Sequence, residues 1–464
     1  MTKKDNKDSS TKIDSKTAIG STQTNKSVVI KEKKAIVLLN DIFVDDFDLM
    51  VKNIEFKKNV LVVTNAKINP KNYEVQCMID NLDNVENLIG KLRLYRLTHN
   101  IDFCGIVGTD EEYGYVFSES LAKEFKLEYH SQKTLNTVSD KYLQARALEK
   151  KKVDIPEMRL VDTYADSNNF KFPCVIKPVN GISSIHVYKC NSTNELKEVF
   201  VKLDAYRANS AVLSLTHENS TKAKTIVKRK TQTVISKHFI LEEYIDGNEY
   251  SCDFIVEKEN VIVLRVVRKI VNPDYFPFFE GLYLFNPLDA GSEFSTEYLT
   301  DVCKKIAKAL DIRFGVCMVD FRFDNKKKKI VIIETTTRPG IDDFIELMKR
   351  NYGYISMSIA LRQIFGKIDI DAIKNIPKGN SIIIYMFAPR EGILKKFDTT
   401  NLEKLKLPNV QEIIKYNAPG SKVSYLGFLK NPPVIGHVIL DNIVSKDIED
   451  IINKIKSNVI IELK

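Results

Sequence analysis

Phe172–Ile185, reading FPCVIKPVNGISSI, carries an apolar run that ends in Lys177 and opens directly into a loop of small residues. An ammonium at a strand end, beside backbone amides in a glycine and serine loop, suits phosphate oxygens: the charge grips them and the N–H groups cover them. A second segment, Phe239–Asp253 (FILEEYIDGNEYSCD), delivers Glu242 and Glu243 on an apolar run, turns at Asp246 and Gly247, and presents Glu249 on the return. One carboxylate can accept from an exocyclic amine and another from sugar hydroxyls. Taken alone, the segment reads equally well as a surface hairpin with solvated acids.

The third segment says most. Asp320–Asp324 (DFRFD) and Ile330–Gly340 (IVIIETTTRPG) are joined by a lysine-rich turn, so Asp320 and Glu334 can face one side of neighbouring strands. Paired carboxylate oxygens are what a magnesium ion bridging nucleotide phosphates requires. Arg338, four residues past Glu334, can hold a transferring phosphoryl group by a two-pronged contact. A fourth segment, Arg265–Lys269 with the aromatic stretch Tyr275–Glu280, adds cations and an apolar wall.

The elements that must position these groups follow from the apolar pattern. Residues 1–28 hold almost no large apolar side chains and are expected to form a disordered tail. From residue 29 to about 135, short strands (Ala35–Leu39, Val60–Val63, Phe103–Val107) alternate with helical stretches, a rhythm that predicts a parallel sheet. The first strand runs into Asn40, Asp41 and Ile42 without a glycine-rich phosphate turn, so this domain is not expected to bind a dinucleotide. Asp110–Leu127 has the spacing of a core-packing helix.

A helix is predicted over Lys141–Lys150, capped by Ser139 or Asp140, in a second domain spanning 136–370. Its strands are expected at Cys174–Lys177, Ile185–Lys189, Phe239–Tyr244, Tyr250–Val256, Val261–Val267, Gly315–Phe323 and Ile330–Glu334, with a helix at Glu297–Leu310. Residues 216–237, polar and basic, read as a mobile excursion. Residues 371–464 form a small α+β module with strands at Ser381–Phe387, Val410–Tyr416, Val434–Leu440 and Val459–Leu463.

Composition narrows the rest. The 464 residues are 44% hydrophobic and 28% charged, a soluble composition long enough for several cores. The net charge of +9 is spread along the chain, not gathered into a basic, aromatic-interleaved stripe, which argues against nucleic acid as the principal partner. Seven cysteines are scattered without a CxxC pair, and no two of the six histidines stand at metal-ligand spacing. With neither a secretory signal nor a membrane-length apolar run, the expected location is the cytoplasm.

In order and spacing, the four segments resemble the ATP-grasp superfamily, in particular its carboxylate–amine ligases, a group that includes bacterial L-amino acid ligases. The resemblance runs from about residue 34 to the end. It implies an ATP-grasp fold, α/β and α+β in class, preceded by a parallel-sheet domain and followed by a small C-terminal α+β module. It implies that Lys141 and Lys177 contact ATP phosphates under the loop Asn180–Ile185, with Ser183 and Ser184. It implies further that Glu242, Tyr244 and Ile245 form the adenine hinge, that Glu249 meets the ribose, and that Asp320 and Glu334 hold Mg2+. Lys269 and Arg338 would handle the γ-phosphate and the acyl phosphate.

One departure stands out: where the family has Glu-x-Asn, this chain has Glu334, Thr335 and Thr336, so a hydroxyl replaces an amide oxygen among the expected metal ligands. The implied reaction joins a carboxylic acid, activated by ATP as an acyl phosphate, to an amine, and releases ADP and phosphate. Amino acids are candidate substrates, and a homodimer is compatible. The alternatives are another ATP-grasp reaction, such as a carboxylation or a nucleotide-biosynthetic ligation, a catalytically impaired nucleotide-binding protein, and a nucleic-acid binder using the basic Lys222–Lys237.

Overall fold

The computed structural model describes residues 31–464 apart from 40–43, 66–67, 83, 110–112, 181–183, 185, 219–237, 272–276, 278, 286–291, 370–372, 374–376, 408 and 424–433. The expected tail and most of the basic excursion, Lys222–Lys237 included, lie outside the described residues.

The N-terminal alternation of short apolar runs and helices builds a parallel sheet. Strands β1 (Glu32–Leu39), β2 (Val60–Thr64), β3 (Gln76–Ile79) and β4 (Ile101–Gly108) lie in the order β3-β2-β1-β4, with helices α1 (Val44–Asn53), α2 (Val85–Thr98) and α3 (Tyr113–Phe125) between or after them. β1 and β2 are buried on both faces, which is why they read as continuous apolar runs. One face packs against Leu88 and Leu92 of α2 and Phe117 and Leu121 of α3. The other packs against α1 and against two helices from much later in the chain, α8 (Asp343–Tyr352) and α9 (Ser356–Ile364), through Ile345, Met357 and Leu361.

Two short helices connect this layer to the next: α4 (Gln132–Ser139) and α5 (Lys141–Lys150). Asp140 caps α5, its carboxylate accepting from the amides of Tyr142 and Leu143 at 2.9 Å each, so the first helical residue is Lys141. A small antiparallel sheet follows, ordered β5-β8-β6-β7, from β5 (Met158–Val161), β6 (Cys174–Pro178), β7 (Tyr188–Cys190) and β8 (Phe239–Glu243). Helix α6 (Thr193–Glu218) covers it through Leu196, Phe200 and Leu203. Residues 216–218 of the expected excursion belong to α6, which continues to Glu218, and its remainder lies outside the described residues.

The large sheet has eight strands: β9 (Glu249–Glu257), β10 (Asn260–Val271), β11 (Phe279–Leu284), β12 (Phe314–Asp324), β13 (Lys329–Thr336), β14 (Ser381–Phe387), β16 (Val410–Lys415) and β18 (Val434–Asp441). Their order is β13-β12-β9-β10-β11-β14-β18-β16, so the last three extend the sheet begun by the first five, through antiparallel pairing of β11 with β14. Helix α7 (Thr296–Ala309) packs on one face through Leu299, Cys303 and Ile306, and α8 on the other through Phe344, Leu347 and Met348. Truncating a side chain such as Leu299 to Ala there should remove about 2–5 kcal/mol of stability. The remaining strands, β15 (Gly392–Asp398), β17 (Lys422–Val423) and β19 (Ile460–Leu463), form a three-stranded sheet beside α10 (Thr400–Lys404) and α11 (Ile448–Ser457). The seven cysteines are free thiols, five of them buried.

Candidate active site

The small and large sheets face each other across a cleft lined by charged side chains from both. Val175, Lys177, Glu242 and Glu243 line it from the small sheet, and Glu249, Lys269, Asp320, Arg322 and Glu334 from the large one. Tyr244 and Ile245 line it where the chain passes from β8 to β9, and Lys141 lines it from the start of α5. The sequence candidates thus converge, except for three. Ser183 lies outside the described residues, whereas Thr336 and Arg338 are described but are not part of the lining.

On the small-sheet side, β6 and β8 run antiparallel with Val175 opposite Glu242. Lys177, two residues along on the same face, therefore meets Glu242 diagonally, and the two form an ion pair at 2.8 Å with side chains only 5% and 4% exposed. The second oxygen of Glu242, Oε2, is buried and has no hydrogen-bond partner among the described residues. It is an acceptor in a cleft, beside the hinge, waiting for a donor.

On the large-sheet side, register places the charges. Glu249 on β9 is the direct cross-strand partner of Lys269 on β10 and of Arg322 on β12. Arg322 donates to Glu249 from Nη2 at 2.7 Å and Nε at 3.1 Å, and Lys269 lies 3.5 Å from its other oxygen. Lys269 also reaches Asp320 at 2.5 Å. Burial opposes the charge of Lys269, and Asp320 and Glu249 more than offset it, so its pKa is raised and it stays an ammonium. Asp320 is in turn the register partner of Glu334 across β12 and β13, and its Oδ1 is buried without a partner among the described residues.

Glu334 is held at 2.7 Å by Lys141. Helix α5 can do this because Gln144, one turn on, bridges to β13: its amide donates to the Thr335 carbonyl and accepts from the Thr335 N–H, both at 2.8 Å. Cleft lysines and carboxylates are therefore paired one against another.

The strand β13 ends at Thr336, whose side chain is buried and turned to the Arg338 carbonyl at 3.5 Å, away from the cleft. The turn that follows is clamped by a buried pair: Asp253 accepts from Arg265 at 2.8 Å, from the Gly340 amide at 3.2 Å and from the Ser356 hydroxyl at 2.5 Å. A side chain at Gly340 would strike Arg265 at 2.2 Å, so glycine is required there. Sequence reasoning gave Arg322 no role, although it also lines the cleft, as do Glu243 and Pro277 from the segments singled out there. Arg322 alternates with buried Phe321 and Phe323 on β12, and the β12–β9 register puts it against Glu249.

Residues 170–343 match the family profile described as an ATP-grasp domain. These residues form an ATP-grasp domain. The cleft, the hinge and the paired carboxylates all fall within or beside it. The D-alanine–D-alanine ligase of Acetivibrio thermocellus is 26% identical over 177 residues, 37% of this chain and 38% of that ligase, so the match spans well under half of the relative.

Among solved structures, an L-amino acid ligase from Bacillus licheniformis superposes with a TM-score of 0.69 at 17% identity, covering 94% of this chain and 99% of that one. A carboxyaminoimidazole ribonucleotide synthase from Aspergillus clavatus, solved with ATP, gives 0.60 at 15% identity over 92% and 98%. These likenesses extend the fold beyond the ATP-grasp domain to both flanking regions. No helix among the described residues is long and apolar enough to cross a membrane.

Proposed function

We propose that the chain is an ATP-dependent carboxylate–amine ligase, which activates a carboxylic acid as an acyl phosphate, joins it to an amine, and releases ADP and phosphate. The supporting observation is the pairing of Asp320 and Glu334 across β12 and β13, each held by its own lysine, in the cleft that also contains Lys177. Two carboxylates among several cations are what positioning and charge neutralisation in phosphoryl transfer call for.

The residues fit magnesium. Asp320 Oδ1 is a buried oxygen with no partner among the described residues, and Glu334 is about a third exposed toward the cleft. No group of three or more His, Cys, Asp or Glu able to enclose a metal occurs among the described residues, which suits an ion whose remaining ligands are phosphate oxygens and water. Bound by Asp320 and Glu334, magnesium would neutralise phosphate charge.

In this reading Lys141 and Lys177 hold phosphates, Ser183 and Ser184 cover them, and Lys269 and Arg338 stabilise the transferring group and the acyl phosphate. Glu242 Oε2 accepts from the adenine amine beside Tyr244 and Ile245, and Glu249 accepts from ribose hydroxyls. Neither step needs a nucleophile from the protein. The ligases named among the relatives act on amino acids, and amino acids are the substrate class we assign here.

ADP release should require magnesium and a carboxylic acid, and should rise sharply when a suitable amine is added, because a bound nucleophile consumes the acyl phosphate faster than water leaks in. Screening amino acids singly and in pairs, with mass spectrometry of the product, checks this. ADP formed at the same rate without any acid would remove the ligase reading. Bicarbonate-dependent ADP release with no amine would instead favour an ATP-grasp carboxylation.

A further inference from the structure

Between β8 and β9 the chain crosses from the small sheet to the large one through Tyr244–Asn248, the segment that Proposed function assigns to adenine. It is stitched to the end of β12. The Phe323 amide donates to the Asn248 carbonyl at 3.0 Å and the Asn325 amide to the Asp246 carbonyl at 3.2 Å. Gly247 lies so close that a Cβ would stand 1.8 Å from the Phe323 carbonyl oxygen. Arg322 completes this seam with its side chain: Nη1 donates to the carbonyls of Ile245 at 3.1 Å and Gly247 at 3.5 Å, while Nε and Nη2 hold Glu249. The guanidinium also lies 4.8 Å from the Tyr244 ring centre.

A guanidinium has five N–H donors. Four contacts to the hinge and Glu249 use most of them, and the side chain is only 6% exposed. Arg322 thus borders the cleft with its donors turned into the protein, unlike Lys177 and Lys269, whose single ammonium groups can exchange a carboxylate for a phosphate. Its fork shape makes the arrangement possible, because one planar group reaches two backbone carbonyls on one side and a carboxylate on the other.

We infer that Arg322 is a positioning residue: it fixes Glu249 and the hinge relative to β12, and thereby sets how strongly the site distinguishes a ribonucleotide from its deoxy counterpart. This rests on reading Glu249 as the ribose acceptor. Glu249 accepts a sugar hydroxyl well only while its carboxylate plane is fixed, which takes a hold on both oxygens: Arg322 Nε and Nη2 converge on Oε2, and Lys269 lies 3.5 Å from Oε1. Without the fork, the carboxylate rotates and the hydroxyl contact weakens, while adenine and phosphate contacts remain.

The test is equilibrium binding of magnesium complexes of ATP, 2′-deoxy-ATP and 3′-deoxy-ATP to the full-length protein. The wild type should bind ATP about tenfold or more tighter than the deoxy form lacking the contacted hydroxyl, the range of one charge-assisted hydrogen bond. In Arg322→Lys and Arg322→Ala, ATP affinity should fall to that of this deoxy form, whose own affinity changes little. Lysine keeps the charge without the fork, so retained discrimination in Arg322→Lys overturns the inference even should the alanine variant fold poorly. Glu249→Gln should lose discrimination too, and adding Arg322→Lys to it should change nothing further; additive effects would place the two residues on separate tasks. A wild type indifferent to both hydroxyls removes Glu249 as ribose acceptor and the inference with it, whereas a discriminating wild type with discriminating Arg322 variants removes the inference alone.

Discussion

Lys177 and Glu242 are buried as a pair, and that changes what a substitution at either one measures. Lys177→Ala alone strands a carboxylate in a dry cleft wall, a change of about 3–5 kcal/mol in stability. Replacing both, Lys177→Met with Glu242→Gln, removes the two charges together. We expect the double variant to regain most of the lost thermal stability while binding magnesium ATP about tenfold or more weakly, since the phosphate contact that the proposed function gives Lys177 is gone. A double variant with wild-type nucleotide affinity would take Lys177 out of the site. Lys177 was legible because it closes an apolar run and opens directly into a loop of small residues; its partner Glu242 was legible as an acid on a strand, but not as its partner. Thr336 is absent from the cleft lining for a local reason. Alternation from Glu334 puts it on the same face in an ideal strand, yet β13 ends there and its hydroxyl turns to the Arg338 carbonyl.

The β12–β13 hairpin is the element on which metal binding depends in the proposed function. Glu334→Gln keeps the shape and removes the charge a hard cation wants, so ADP formation should be lost even at saturating magnesium. Full activity in that variant would refute the assignment. The hairpin was readable because both carboxylates stand on apolar strands joined by a polar turn; the bulge between Asp320 and Phe321, which adjusts the pairing there, was not. β12 also begins against His130, in the link between α3 and α4, whose ring stacks on Phe314 at 5.0 Å. Burial depresses the pKa of His130 from 6.5 to about 4, so the folded protein holds it neutral where the unfolded chain would protonate. Stability should therefore fall as pH drops from about 6.5 to 4, by at most roughly 3 kcal/mol from this group. Thermal unfolding of His130→Phe across that window should show a shallower decline than the wild type, and an identical decline would clear His130 of the effect.

For the whole molecule, the continuity of the eight-stranded sheet matters most. A new alternation of strands after about residue 370 made 371–464 read as a small α+β module, and β14, β18 and β16 of that region continue the sheet of the ATP-grasp domain. Pairing between β11 and β14 joins strands almost a hundred residues apart, and periodicity along the sequence carries no information about such partners. β11 itself, hidden behind the aromatic stretch read as a wall, was missed. A chain ending at residue 370 should leave β11 as a bare edge with Leu282 and Leu284 uncovered, and should aggregate. Recovery of that fragment as a soluble monomer able to bind magnesium ATP would show the sheet to be divisible.

In the proposed function, the pairing of charges in the cleft would also govern how a nucleotide first arrives. Lys141, Lys177, Lys269 and Arg322 are set against Glu242, Glu243, Glu249, Asp320 and Glu334, so the lining holds one more acid than base although the chain as a whole is positive. Such a mouth exerts little long-range pull on a polyanion, and whatever pull exists comes from lysines spread over the exterior. Capture of ATP is then an unsteered encounter: stopped-flow association rates with a fluorescent analogue should be nearly flat with ionic strength, while dissociation, which must restore the lysine–carboxylate pairs, sets the affinity.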